Sequence, residues 1–240
     1  MGDFQSTLDK FFPGAIPAAQ FVRQSYDALW KHGFTRDNTF AGVGLCRDEL
    51  TRPLFHEIEK MWGEVFNISS LAGMLLLGKA GFRASLHHAP HDEGLPRHVY
   101  YALPHIGINS SEEIGYCYRP GQKQASTACG ALMGFQQELA SGILRVDLDP
   151  DDLEYSLLKQ RLIRKLHYGK VPGIVTLTKL AHETIRDDLQ RLIDETIDIT
   201  KSHHAMFTGI QIHGPNSVTY VWPEASYAVS DGQRYEFPRG

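Results

Sequence analysis

In "GVGLCRDEL", residues 42–50, a small apolar run ends in a cysteine followed at once by an arginine and two acids. Two more cysteines, Cys117 and Cys129, and 12 scattered histidines are spread over the 240 residues. Three of these groups share a structural position. Cys46 stands where a glycine-rich strand ends, His105 where a second strand ends after Pro104, and Cys129 where the polar run "STACG" opens a helix. In an open α/β sheet, the carboxyl ends of strands and the helix N-termini beside them converge on one edge. Two thiolates and an imidazole meeting there form a Zn2+ ligand set with one position open. The ligands lie tens of residues apart and include no C-x2-C knuckle, so the spacing suits a catalytic zinc better than a structural one. A helix N-terminus also lowers a thiol's pKa, which favours Cys129 as a thiolate. The same residues admit two other readings. A cysteine at a strand end can be a small buried hydrophobe, and Cys46 or Cys129 can be a covalent nucleophile with His105 as its base.

The elements that would carry these groups follow from periodicity. Residues 17–32, "PAAQFVRQSYDALWKH", have helical apolar spacing closed by Gly33. "NTFAGVGLC" reads as a short buried strand, and a helix over 51–65 begins with Thr51 as cap and Pro53 in its first turn. "SSLAGMLLLGKAGFRASLHHAP" starts as a short helix, turns at Gly78–Gly81 and continues as a strand. "RHVYYALPHIGI" is a strand ending at Pro104 and His105, and "EEIGYCYRPGQ" is an edge strand in which Cys117 packs among tyrosines. "STACGALMGFQQELASG" is a helix with Cys129 in its first turn, followed by amphipathic helices over about 150–168 and 176–200. The tail from Gly209 alternates as a hairpin around "GPN". The pattern predicts an α/β fold, a mostly parallel central sheet flanked by helices, with extra N- and C-terminal helices.

Composition narrows the function. The chain is 42% hydrophobic and 22% charged with a formal net charge of −4, so no basic footprint for nucleic acid or a membrane surface is present. No window approaches the roughly 18 apolar residues of a membrane span. "MGDFQSTLDKFF" has no secretory pattern, although Gly2 and Ser6 fit the short and common myristoylation signature. The odd cysteine count argues against a secreted disulfide framework. A soluble cytoplasmic protein is expected, built as a single domain over 1–240. Within it lie a helical arm to about residue 35, a core to about 145, and C-terminal helices and hairpin beyond.

"FAGVGLCRDEL", "GKAGFRASLHHAP", "LPHIGI" and "STACGA" stand in an order and spacing that resembles the limiting-CO2-inducible B/C family, a divergent branch of the β-carbonic anhydrases. "DDLEYSLLKQRL" and "LTKLAHETIRDDL" extend the resemblance to roughly residues 15–225. It implies a β-carbonic-anhydrase-like fold, a homodimer, and Zn2+ held by Cys46, His105 and Cys129. The implied activity is interconversion of CO2 and bicarbonate by attack of zinc-bound hydroxide. The alternative is a catalytically silent zinc protein of the same fold, acting in inorganic-carbon sensing or assembly.

Asp48 matches the aspartate of the family's C-x-D element, which either takes the fourth zinc position or pairs with an arginine. Ordinary β-carbonic anhydrases have C-x-D-x-R, whereas Leu50 stands at the arginine position here. Arg52, four residues past Asp48, is one candidate partner, and Arg47, its sequence neighbour, is another. Around the centre, Phe82 and Lys79 of "GKAGF" are expected to wall the substrate pocket. His88, in a loop cluster with His87 and His91, is expected to shuttle protons. His203, His204 and His213 read as structural or surface residues.

Overall fold

The computed structural model describes residues 4–90, 94–167 and 169–238. Gly2 and His91 lie outside the described residues. Helix α1 (Phe4–Phe11), strand β1 (Ile16–Pro17) and helix α2 (Ala18–Trp30) lead into β2 (Thr39–Gly44), the strand that delivers Cys46. Then follow α3 (Arg52–Trp62), β3 (Val65–Asn67), α4 (Gly78–Leu86), β4 (Arg97–Ala102) and β5 (His105–Gly107). A small hairpin of β6 (Tyr116–Cys117) and β7 (Ser126–Thr127) precedes helices α5 (Gly130–Ser141), α6 (Leu153–Ile163) and α7 (Ile174–Thr196). Strands β8 (His203–His213), β9 (Thr219–Ser230) and β10 (Gln233–Phe237) complete the chain.

The main sheet runs β1-β9-β8-β4-β2-β3, with β10 also on β9 and β5 also on β8. Its centre is parallel, from β3 through β2 and β4 to β8, and β5 joins β8 in the same sense. Strand β9 reverses direction and pairs antiparallel with β8, β1 and β10. The expected mostly parallel sheet flanked by helices is thus the observed one, with an antiparallel flank added by the tail. The sheet draws strands from the N-terminal arm, the core and the C-terminal part alike.

Parallel strands need cover on both faces, and each face has its own core. On one side, Phe21, Leu54, Ile58 and Trp62 of α2 and α3 pack on Val43, Val99, Tyr101 and Phe207. On the other, α4 to α7 contribute Phe82, Leu132, Phe135, Leu158 and Ile185 against Tyr100, Ala102 and Met206. Helix α7 reaches its place because Leu177, Ala181, Ile185, Leu189 and Ile193 recur every fourth residue and are all buried. Helix α1 covers the far end of β8, with Leu8 and Phe12 on Ile106, Ile210 and Ile212. Among the described residues no helix is long and apolar enough to cross a membrane.

Three local expectations are corrected. The segment after Gly78 is helix α4, not a strand. Gly78 takes the turn with φ +68°, while Gly81 is helical and lets Leu77 lie against the helix where a side chain would collide. Residues 97–108 form two strands rather than one, because Pro104 breaks the ladder between β4 and β5. The tail strand begins at His203, six residues earlier than its alternation suggests, since every residue of β8 is buried and no alternation is visible.

Gly107 is a close-approach glycine: a Cβ there would lie 2.6 Å from the Tyr116 carbonyl oxygen of β6. Gly107→Ala is expected to destabilise the fold by about 1–3 kcal/mol through overpacking. Denaturant unfolding measures this, and an unchanged midpoint would mean that the hairpin shifts freely.

Candidate metal centre

Cys46, His105 and Cys129 converge at the carboxyl edge of the parallel strands. Cys46 follows β2 and forms a parallel bridge with Ser70. Its carbonyl accepts from Thr51 Oγ1 at 2.9 Å, which closes the turn into α3. His105 opens β5, whose short ladder with β8 pairs His105 with Gln211 and Gly107 with His213. Cys129 is the N-cap of α5, in extended conformation, with its carbonyl accepting from Met133 N–H at 3.1 Å. The β6–β7 hairpin holds it there, because Gly107 N–H donates to Ala128 O at 2.9 Å and Ala128 N–H to Gly115 O at 2.8 Å.

All three side chains are buried, and one ligand atom from each lies within 4.8 Å of the others. The two sulfurs stand 3.9 Å apart. That is close to the roughly 3.8 Å separating two thiolates on a tetrahedral zinc with Zn–S bonds of about 2.3 Å. Nδ1 of His105 shares a 3.0 Å hydrogen bond with Nε2 of His213, while its own Nε2 is buried without a hydrogen-bond partner among the described residues. A soft donor set, with an imidazole lone pair left over beside two sulfurs, fits Zn2+.

The hydrogen bond between the two thiols moves them in opposite directions. The hydrogen bond from Cys129, helped by His105, draws the Cys46 thiol down to about 4 against the opposing effect of burial. The same hydrogen bond, together with burial, pushes Cys129 well above the ordinary thiol range.

Asp48 lies at the rim, its Oδ2 3.9 Å from His105 Nε2. Its Oδ1 accepts from Leu50 N–H at 3.1 Å as the cap of the next turn. Its arginine partner is Arg119, whose Nη2 donates to Oδ2 at 2.8 Å. Arg119 also donates from Nε to Glu49 at 2.5 Å, to the Thr127 carbonyl at 3.1 Å and to Ser126. Burial raises the Asp48 carboxyl above its usual range, against the opposing pull of His105, the Leu50 N–H and Arg119. Burial works against the Arg119 charge, yet Glu49 and Asp48 outweigh it and raise its pKa.

The expected partners stand elsewhere. Arg47 points away to Glu154, with contacts of 2.6 to 3.2 Å, and Glu154 also accepts from Leu71 N–H at 2.8 Å. Arg52 opens α3 and lines the cleft, while the Asp48 carboxylate is taken by Arg119. That cleft, about 410 Å3, is bounded by Cys46, Arg47, Asp48, Arg52, Phe55 and His56, among others.

The residues expected to wall the pocket are not in it. Phe82 is fully buried in the core, stacked on Tyr100 at 4.7 Å between ring centroids. Lys79 forms an ion pair with Glu195 at 2.9 Å on the far side of α7. His88 stacks on Phe40 and meets Phe66 edge to face, each at 5.4 Å between ring centroids. The imidazole lining the cleft is His56.

Sequence reasoning missed Arg119, Glu154 and His213. Nothing in "YRPG" marks Arg119 for Asp48, 71 positions away. His213 can be found only once the β5–β8 register is known.

Replacing Arg119 by Gln should cost about 1–3 kcal/mol, because it strips a partner from the sheltered Asp48. Replacing the 62% exposed Arg47 by Gln should cost at most about 1 kcal/mol. Paired unfolding curves test this ordering, and equal losses would contradict it.

A family model described as limiting CO2-inducible proteins B/C beta carbonic anhydrases matches residues 15–230. The crystal structure of limiting CO2-inducible protein LCIB is similar, with a TM-score of 0.82 at 33% identity, covering 99% of this chain and 100% of that one. The crystal structure of PtLCIB4, a homolog of that protein, gives 0.84 at 24% identity over 97% and 98% of the two chains. No curated protein matches the chain.

Proposed function

The chain belongs to the limiting CO2-inducible B/C family of beta carbonic anhydrases, and from that premise we propose that it is a zinc-dependent enzyme interconverting CO2 and bicarbonate. The observation that carries this reading is the buried Cys46–His105–Cys129 group, with sulfurs 3.9 Å apart and a free imidazole nitrogen between strand ends. Those three residues would hold Zn2+, which when bound supplies a Lewis acid that makes water nucleophilic near neutral pH.

The remaining work falls to the chain itself. Asp48, held by Arg119 and by the Leu50 N–H, presents a carboxylate beside the ligand set. There it orients the attacking water and accepts its hydrogen bond. Arg119 fixes the direction of that carboxylate and, through Glu49, the turn that carries it. Arg47 and Arg52 give the cleft a cationic rim that favours an anionic product, and Phe55 adds an apolar patch for CO2. The same reading includes a homodimer. Light scattering should then give twice the 27.0 kDa chain mass, and the monomer mass would remove that part.

Two measurements test the core of the proposal. Elemental analysis of purified protein should give one zinc per chain, and Cys129→Ala should lose it, since a three-ligand site has no spare. Full zinc content in that variant would reject the ligand assignment. Stopped-flow CO2 hydration by the zinc-loaded protein should be measurable, and Asp48→Asn should keep zinc but lose at least about tenfold in rate. Full zinc without hydration in the unmodified protein would leave a non-catalytic zinc protein of the same fold, acting in inorganic-carbon sensing or assembly.

A further inference from the structure

We propose that His213 is a positioning residue for His105: its Nε2 accepts the Nδ1–H of His105 and thereby fixes the tautomer and ring plane that leave His105 Nε2 for the metal. This rests on the metal reading above. The two rings lie 3.0 Å apart between those nitrogens and meet edge to face, at 70° with centroids 5.1 Å apart.

Backbone geometry holds both partners. Gln211 N–H donates to Pro104 O and Ile108 N–H to His213 O, each at 2.9 Å, so one ladder brackets the two imidazoles. His105 is fully buried and His213 is 3% exposed, so no solvent substitutes for the bond. The direction of the bond follows by elimination. A ligand nitrogen must offer its lone pair, so the His105 proton belongs on Nδ1. His213 Nε2 is then the acceptor, and the remaining His213 proton sits on its Nδ1. Gln211, which the register places beside His105, makes no side-chain hydrogen bond and does not compete.

An imidazole acceptor differs from the carboxylate that often backs a zinc histidine. It orients the ligand without adding negative charge behind a centre that already holds two thiolates. A carboxylate there would push more electron density toward the metal and weaken it further as a Lewis acid. The choice of acceptor thus preserves the acidity that CO2 hydration needs.

His213 also borders a cavity of about 220 Å3, shared with Glu49, Cys117, Val218 and Thr219. Substitutions at this position therefore have room to settle without displacing the β8 backbone.

The experiment uses the full-length protein in two arms. In zinc-loaded, histidine-15N-labelled protein, His213 should be protonated at Nδ1 and bare at Nε2. A proton on His213 Nε2 would overturn the proposal with no variant needed. In the second arm, zinc affinity is read by competition with a chelating dye, alongside thermal melts of the metal-free proteins. His213→Leu should weaken zinc binding about 10- to 100-fold. His213→Gln, whose side-chain oxygen can accept the same proton, should recover most of that loss. A leucine variant that melts lower yet binds zinc as tightly as the parent would reduce His213 to a packing residue and overturn the inference. If the unmodified protein itself takes up no zinc, the metal reading beneath the inference falls, an outcome distinct from the other two, and the inference falls with it.

Discussion

A buried nitrogen without a hydrogen-bond partner costs roughly 1–3 kcal/mol, and this fold places one, His105 Nε2, within reach of two sulfurs. Much of the local architecture maintains that arrangement. The three-residue strand β5 exists only because Pro104 interrupts its predecessor and β8 offers a second stretch of edge. The β6–β7 hairpin pins the approach to Cys129 through Gly107 and Gly115. The Thr51 hydroxyl ties the carbonyls of Cys46 and Asp48 into the turn before α3.

Electrostatics adds a second layer at graded depth. Arg119 is largely sheltered and joins Asp48, Glu49 and the hairpin in one network, so its charge acts in a medium of reduced dielectric. The Arg47–Glu154 pair lies mostly in solvent and is screened, although Glu154 also accepts from Leu71 N–H and so links α6 to the segment after β3. Arg119, beside Asp48 in space, and Arg47, its neighbour in sequence, are therefore unequal. One shapes the carboxylate, and the other joins α6 to the rim of the cleft.

The sequence made the ligand triad legible because each member announces itself locally. Cys46 and His105 end apolar runs, and Cys129 stands at a helix entry whose polar cap is visible in "STACG". The layered α/β fold was legible for the same reason, since alternating strands and helices leave a periodic trace. The support around the triad was not. Arg119 and His213 reach the centre through pairings that span 71 and 108 positions, and no local pattern encodes such contacts. Phe82, Lys79 and His88 illustrate the opposite case. Their motif sits near the ligand motifs in the chain, but it forms a helix that runs toward the other end of the strands, where Phe82 serves the core and His88 rests on Phe40.

Strand β8 gives the protein a particular order of assembly. It is the central partner of β4, β5 and β9, yet it follows every other strand of the parallel part in the chain. Cys46, Cys129 and His105 all precede β8 in the chain, and although β4 can already pair with β2, β5 has β8 as its partner strand. The ladder that orients His105 cannot form until residues 203–213 have emerged, and the long-range pairings it needs are intrinsically slow. The three ligands are therefore all in the chain before the strand that orients one of them, and the centre closes only when residues 203–213 join the sheet.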